Sequence, residues 1–420
     1  MTTAGMSLLL RVLRDDDVNG FVGMALSPDM FQDDEIDLYV YIIKHLGEHG
    51  VLPKRETVER ETGLLLLSMP DPQEPMSYYL ADLEKRHLHR SLLAGLETSR
   101  DFLKNRDPES ALKQTAELAV KLTTHNKRNE MFDFRQAQGP VMAEFKEHVM
   151  RGPNYGIRLG WETFDDMTGG LREADTMAIV GRPALGKTYM ITWAARNVWW
   201  VHHKVALVLS MEMDGLALMQ RALGIQAGVN VKQIRDAALT TANMKRIKGA
   251  FRAMSDHDVP LWIVDGNMTA TVDDLVLLAR QLKPDVVFID GGYLMGHSDP
   301  RASSWQKVKD NVEALHKQIS KGMGIPTVVS YQFNREITKL KKDQQPGVEH
   351  IGMSDAVGQV CSHVVGLFQE ETVETLEKRR ATILKGREGA VGSFVMSWDF
   401  RGMNFGEVVD KKVEDMRYTG

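Results

Sequence analysis

Gly181-Arg182-Pro183-Ala184-Leu185-Gly186-Lys187-Thr188 constrains this chain more than any other stretch. Before it runs an apolar segment, Thr176–Val180, which reads as a buried strand. After it, Met190, Ile191, Ala194 and Val198 recur at helical spacing. A G-x-x-x-x-G-K-T pattern set between a strand and a helix is a phosphate-binding loop. Its glycines let backbone N–H groups turn inward around a phosphate, and the helix start adds the positive end of its dipole. Lys187 can reach the β- and γ-phosphates, and the Thr188 hydroxyl can ligate Mg²⁺. The eight residues therefore imply a nucleoside triphosphate site and a fold with a strand, a loop and a helix in that order.

Around this loop the chain reads as α/β. Beyond Gly160 strands and helices alternate, which implies a mostly parallel sheet covered by helices. The strand candidates are Thr176–Val180, Val205–Ser210, Leu261–Asp265, Val286–Asp290, Thr327–Tyr331, His363–Phe368, Arg380–Lys385 and Val391–Trp398, the last two as a hairpin across Gly386–Gly389. Residues 1–126 read instead as a small all-α domain. In Asp37–Gly47 the stripe is Tyr39, Ile42, Ile43 and Leu46, with Gly47 and Gly50 marking its end. A long helix is expected over Ser77–Leu103, with Leu80, Leu83, Leu92 and Leu96 on one side. Asp107-Pro108 starts the next, which carries Leu112, Leu118, Ala119 and Leu122. The two form an antiparallel hairpin, whose apolar stripes suit either a private core or a dimerisation surface. Residues 127–159 read as a linker with one short amphipathic helix, Val141–Met150, bracketed by Gly139-Pro140 and Gly152-Pro153. Its apolar positions are Val141, Met142, Phe145 and Val149, and so short a helix needs a surface to dock on. Residues 160–420 are the ATPase domain, ending in a polar tail after Gly406.

Composition narrows the class without choosing a function. The 420 residues suggest two or three domains, and 43% hydrophobic with 26% charged content is ordinary for a globular protein. No apolar run approaches the roughly 20 residues that span a bilayer, and the N-terminus lacks a signal-peptide pattern. A single cysteine, Cys361, excludes an internal disulfide and a cysteine-rich zinc site, in keeping with a reducing cytoplasm. The net charge of −5 argues against an all-basic surface, yet a ring can confine positive charge to loops that line a channel.

Further residues add chemistry to the loop. Val286–Asp290 is four apolar residues ending in an acid, the form of a Walker B strand, and Asp290 would hold Mg²⁺ through water at the sheet's carboxyl edge. Val205–Ser210 leads to Glu212, which at that edge can orient and deprotonate an attacking water; an isolated glutamate there would be merely solvated. Arg221, on the next helix, either approaches the phosphates or is an exposed helical arginine. Thr327–Tyr331 leads into Gln332, placed to sense a γ-phosphate and relay its presence to the loop behind. That loop carries Arg335, Lys339, Lys341 and Lys342, either a solvated charged loop or a DNA contact, and Arg301 is a further candidate contact. Lys385-Gly386-Arg387 ends one strand and turns towards the next, and an arginine on such a tight turn suits a finger supplied to a neighbouring subunit. His202-His203 and His87-x-His89 read as solvated pairs without a metal site.

Together these segments resemble the DnaB family of hexameric replicative DNA helicases over nearly the whole chain. The phosphate loop, Ser210-x-Glu212-Met213, Asp290, Gln332-x-Asn334-Arg335 and Lys385-x-Arg387 occur in family order and spacing; the last is the most specific. The resemblance implies a RecA-like ATPase domain in which Lys187, Thr188 and Asp290 bind MgATP. It makes Glu212 the base, Gln332 the γ-phosphate sensor, and Lys385 and Arg387 residues acting in trans. Val141–Met150 would dock on the adjacent subunit of a homo-hexamer. The implied activity is 5′→3′ translocation on single-stranded DNA in a central channel, beside a primase and a loader. Two departures stand out. Asp290 is followed by Gly291-Gly292-Tyr293 where the family runs Asp-Tyr, and Gly352–Gly358 lacks the arginine of the family's DNA loop. Such divergence fits a phage or mobile-element version, working in a host cytoplasm, and the single cysteine leaves priming to a separate protein. A RecA-like recombinase filament and an ATP-assembled scaffold ring share parts of the pattern.

Overall fold

The structure is a computed structural model and describes residues 3–24, 26–124, 134, 138–151, 156–266, 271–297, 299, 301–334, 347, 350–352, 355–369 and 377–408. The chain divides into two compact units, Met1–Val141 and Met142–Gly420.

The N-terminal unit is helical. Helices Ala4–Asp15, Asp34–His49 and Met76–Lys104 enclose a core of Leu8, Leu9, Leu10, Phe31, Leu38, Ile42, Leu80 and Leu83. Glu35 is buried among them and compensated by Arg86, Thr3 and the amides of Met6 and Gln32. One expectation needs correction, and one open alternative narrows. The helix over the Tyr39 stripe runs through Gly47 and is closed by Gly50 in the left-handed conformation, while Ile43 is 44% exposed and Leu38 takes its place in the core. In the hairpin of Met76–Lys104 and Pro108–Thr124, Leu92, Leu96 and Leu112 are exposed. The hairpin closes through small residues instead: a Cβ on Gly95 would stand 2.2 Å from Leu118, and Ser99 and Thr115 share a 2.9 Å hydrogen bond. Asp107 caps the second helix as expected, its Oδ1 accepting from the Ser110 N–H at 3.0 Å.

The linker helix runs Gln138–Arg151 and takes Gly139-Pro140 into its first turn. Proline is tolerated there because the first-turn N–H groups have no helical acceptor. Val141, Met142, Phe145 and Val149 are all exposed, so among the described residues nothing covers this apolar face.

In the C-terminal unit eight strands form one sheet in the order β3-β2-β4-β5-β1-β6-β7-β8. They are β1 Thr176–Gly181, β2 Ala206–Ser210, β3 Leu261–Asp265, β4 Val286–Asp290, β5 Thr327–Tyr331, β6 His363–Phe368, β7 Lys378–Lys385 and β8 Gly392–Ser397. The first six are parallel, and β7 and β8 pair antiparallel. β1, β2, β4 and β5 are buried throughout, which is why each reads as an apolar run in the sequence. The helix Lys187–Trp200 packs Met190, Ile191, Ala194 and Val198 into the core at 0% exposure. Just past Gly406, Glu407 and Val408 are pinned: Val408 N–H bonds Val395 O at 2.8 Å, and Glu407 accepts from Thr163. Residues 409–420 lie outside the described residues. Among the described residues no helix is long and apolar enough to cross a membrane.

Candidate nucleotide-binding and hydrolysis site

Parallel strands deliver their following loops to one edge of a sheet, and four such loops build this site. The phosphate loop leaves β1 at Gly181 and enters its helix at Lys187. Ala184 and Gly186 both take positive φ, at 64° and 99°. A Cβ on Gly186 would lie 2.3 Å from the Trp398 ring, so this glycine is needed for both conformation and space. Arg182, Pro183 and Ala184 are exposed at the tip of the loop, and Leu185, Gly186 and Thr188 are half-buried. Lys187 is 5% exposed and folds back on its own loop, Nζ donating to the carbonyls of Gly181 (3.2 Å) and Arg182 (3.3 Å). Burial pulls its pKa below the ordinary lysine range, against the opposing charges of Glu212 and Asp290.

Asp290 ends β4 directly beside Ser210 of β2. It is fully buried, and burial raises its pKa despite the hydroxyls of Thr188 and Ser330 and the charge of Lys187. Ser330 of β5 donates to Oδ1 at 3.0 Å and accepts the Gly291 N–H at 2.7 Å, while Oδ2 has no hydrogen-bond partner among the described residues. A buried carboxylate with an unbonded oxygen and a threonine hydroxyl close by is a donor set suited to a hard divalent cation and its water, so the residues present fit Mg²⁺.

Glu212 follows β2 on a turn closed by Ser210, whose Oγ donates to Met213 O at 2.7 Å. Its carboxylate accepts a 3.1 Å hydrogen bond from the Tyr293 hydroxyl. Tyr293 is half-buried and its pKa is pushed up to about 12, by burial first and then by Glu212. Gln332 follows β5, whose Tyr331 lies beside Val180 of β1, and its nearness lowers the pKa of the same phenol. Lys187, Thr188, Glu212, Asp290 and Gln332 thus meet at one edge.

Other candidates are placed elsewhere. The Arg221 guanidinium lies over the Tyr189 ring, 4.6 Å from its centroid, and lines a cavity of about 480 Å³ with Met213, Asn230 and Phe400. Arg387 makes a 2.8 Å ion pair with buried Asp175, the residue before β1, and Lys385 donates to Gly358 O and Gln359 O at 2.7 and 3.1 Å. Asp175 and the phosphate loop sit at opposite ends of β1, a strand of 6 residues that rises roughly 20 Å. Arg387 therefore does not meet its own loop. Arg301 is exposed on a turn, its N–H bonded to Asp299. Arg335, Lys339, Lys341 and Lys342 lie outside the described residues.

His87 and His203 are not simply solvated, whereas His89 is exposed. His87 approaches Asp29 O at 3.2 Å, and His203 bonds Asp258 at 2.8 Å beside His257. These last three bring potential ligand atoms within 4.8 Å of one another. The two imidazoles stack at 16°, however, so their in-plane lone pairs run in near-parallel planes and do not converge on one ion.

Sequence reasoning missed Ser330, Trp398 and the contact of Tyr293 with Glu212. The signal for Tyr293 was the Gly291-Gly292 departure. Gly291 takes φ 96°, and a Cβ on Gly292 would stand 2.3 Å from Val329, so the glycine pair lets the turn hug β5 and bring the phenol to Glu212.

The sheet order, the loop after β1 and the acids after β2 and at the end of β4 define a RecA-like phosphate-loop fold. Residues 156–407 match the DnaB-like helicase C terminal domain, and the chain belongs to the DnaB-like helicase family. It is 29% identical to the replicative DNA helicase DnaB of Treponema pallidum over 57% of this chain and 53% of that protein, so that match takes in about half of the relative's length. It is 22% identical to the replicative DNA helicase DnaC of Bacillus subtilis over 77% of this chain and 73% of that one. Its fold is similar to a solved DnaB-like replicative helicase described with its interactions with primase, at a TM-score of 0.63 and 16% identity, covering 97% and 99% of the two chains. A second solved structure, an isolated ATPase domain, is similar at a TM-score of 0.59 and 19% identity, covering 66% of this chain and 100% of that one.

Proposed function

We propose that this chain is an ATP-driven replicative DNA helicase that works as a homo-hexameric ring and moves 5′→3′ on single-stranded DNA. The observation that carries the reading is the split of its site between two edges of one sheet. Lys187, Thr188, Glu212, Asp290 and Gln332 gather at the carboxyl edge, whereas Arg387 pairs with Asp175 at the amino edge. A finger that cannot serve its own site has a use in a heterologous interface, where each subunit completes its neighbour's.

In this reading Gly181–Thr188 cradles the phosphates and Lys187 exchanges its loop carbonyls for phosphate oxygens. Thr188 and Asp290 would hold Mg²⁺, which neutralises phosphate charge when bound. Glu212 takes the proton of the attacking water, Gln332 senses the γ-phosphate, and Lys385 and Arg387 reach the next subunit's nucleotide. Arg221 closes the nucleotide site from the side. Residues 127–159 serve as the linker between a helical N-terminal domain (1–126) and the ATPase domain (160–420). The exposed face of Val141, Met142, Phe145 and Val149 docks on the adjacent subunit. Arg335, Lys339, Lys341, Lys342 and Arg301 contact DNA in the channel. A separate primase and loader act beside the ring in the cytoplasm.

The test is unwinding of a forked duplex with a 5′ single-stranded tail. Wild-type protein separates the strands with ATP, and Lys187→Ala does not. Rings that hydrolyse ATP but never displace a strand would overturn the reading.

A further inference from the structure

Glu212 is exposed on a turn, and a base so placed needs something to aim it. Among the described residues its one hydrogen-bond partner is the Tyr293 hydroxyl, 3.1 Å from Oε2. Gln332, which directly follows the Tyr331 that the Gly292 turn packs against, lies near enough to the same phenol to hold its pKa down. We propose that Tyr293 is a positioning residue that holds Glu212 by one carboxylate oxygen and links it to Gln332. Removal of the water's proton then follows detection of the γ-phosphate. This deepens the proposed function and rests on its assignment of Glu212 as base and Gln332 as sensor.

Hydrogen-bond chemistry gives the link a direction. An ionised carboxylate only accepts, so the phenol must donate to Glu212. Its oxygen then keeps lone pairs, which the Gln332 side-chain amide can meet as a donor. The two neighbours act on the phenol accordingly: Glu212 raises its pKa and Gln332 lowers it. Burial and Glu212 together push it up to about 12, so the proton stays on the phenol at neutral pH and the donor is always present. With Oε2 held, Oε1 is left for a water. A shift of Gln332 towards a phosphate moves the phenol, and the phenol moves the carboxylate.

The backbone is built to put Tyr293 there. Gly291 has φ 96°, and Gly292 lies so close to β5 that a Cβ would come within 2.3 Å of Val329 and 3.2 Å of Tyr331. Tyr331 immediately precedes Gln332, so the turn that carries the phenol packs against the strand that carries the sensor. Asp290, Tyr293, Glu212 and Gln332 are thereby brought to one corner of the sheet.

The experiment compares Tyr293→Phe, Gln332→Ala, the double variant and Glu212→Ala as full-length rings, by steady-state ATPase with and without single-stranded DNA. Fluorescent ADP binding and melting temperature are followed in parallel. Tyr293→Phe loses only the hydroxyl; its kcat on DNA is expected to fall about tenfold, the rate equivalent of one charge-assisted hydrogen bond. KM, ADP affinity and melting temperature should stay within about twofold or a degree of wild type. The double variant should be no slower than the slower single one, because both changes cut the same link. Unchanged kcat in Tyr293→Phe, a loss confined to KM, or effects that multiply would each overturn the link. Glu212→Ala separates the two levels: if it still hydrolyses ATP, the assignment of the base fails. If it is inactive while Tyr293→Phe runs at full rate, only the link fails.

Discussion

Asp290 shows at the scale of one residue how a site is prepared for a ligand at the expense of the empty fold. Its Oδ1 is bonded to Ser330, its Oδ2 has no hydrogen-bond partner among the described residues, and the group is fully buried. Burial lifts its pKa above that of an unfolded chain. A group that binds its proton more tightly when folded favours the fold at low pH. That contribution disappears as pH rises through the unfolded carboxylate range to the folded pKa. Asp290→Asn keeps the acceptor for Ser330 and removes the charge. Without nucleotide and Mg²⁺ it should melt above wild type at neutral pH, by about 2–4 °C for each kcal/mol of relieved desolvation. The gap should close as the pH falls, because wild type then protonates. MgADP should raise the melting temperature of wild type and leave Asp290→Asn nearly unmoved. Scanning calorimetry from pH 4 to 8 reads both effects, and a variant less stable than wild type at neutral pH would contradict the argument.

Elements differ in how openly the sequence announces them. β1, β2, β4 and β5 were legible because a strand buried on both faces has to be apolar throughout, and their order alone placed Asp290 and Glu212 beside the loop. Apolar helix faces were only half legible. Leu80 and Leu92 look alike in a stripe, yet the first is 3% exposed and the second 39%, since the pattern does not say whether the covering surface belongs to this chain. Contacts that cross the fold were the least legible, and the Gly291-Gly292 pair marked a tight turn without naming what it meets. Nothing near Gly186 announces that Trp398 closes over it, and nothing near Glu212 announces Tyr293. Gly186→Ala tests the first of these. A Cβ there meets both the indole and a φ of 99°, and strain of this kind costs about 1–3 kcal/mol. ATP binding should weaken by about tenfold or more. Adding Trp398→Ala relieves the clash but not the dihedral, so titration with labelled nucleotide should show only partial recovery. Full recovery would mean that the indole, and not the backbone, dictates the glycine.

For the whole molecule, the two edges of the sheet make a claim about assembly. β1 carries the phosphate loop at one end and, through Asp175, the Arg387 ion pair at the other. A closed ring of like-oriented subunits would set the Arg387 edge of each against the phosphate edge of the next. The face of Val141, Met142, Phe145 and Val149, uncovered among the described residues, supplies apolar surface for such a contact. Mixing two inactive proteins tests the geometry directly. Arg387→Ala keeps a whole phosphate site and lacks the finger; Lys187→Ala keeps the finger and lacks the site. If the finger acts in trans, random mixing at equal ratio makes about a quarter of the interfaces intact. ATPase activity should then rise well above either variant alone, each expected to be down by on the order of 10³. If Arg387 instead served its own subunit, every active site in the mixture would carry a defect and the activity would stay at the average of the two variants. Rapid subunit exchange before assay is the control that lets a flat result count against the trans arrangement, because it removes failure to mix as an explanation.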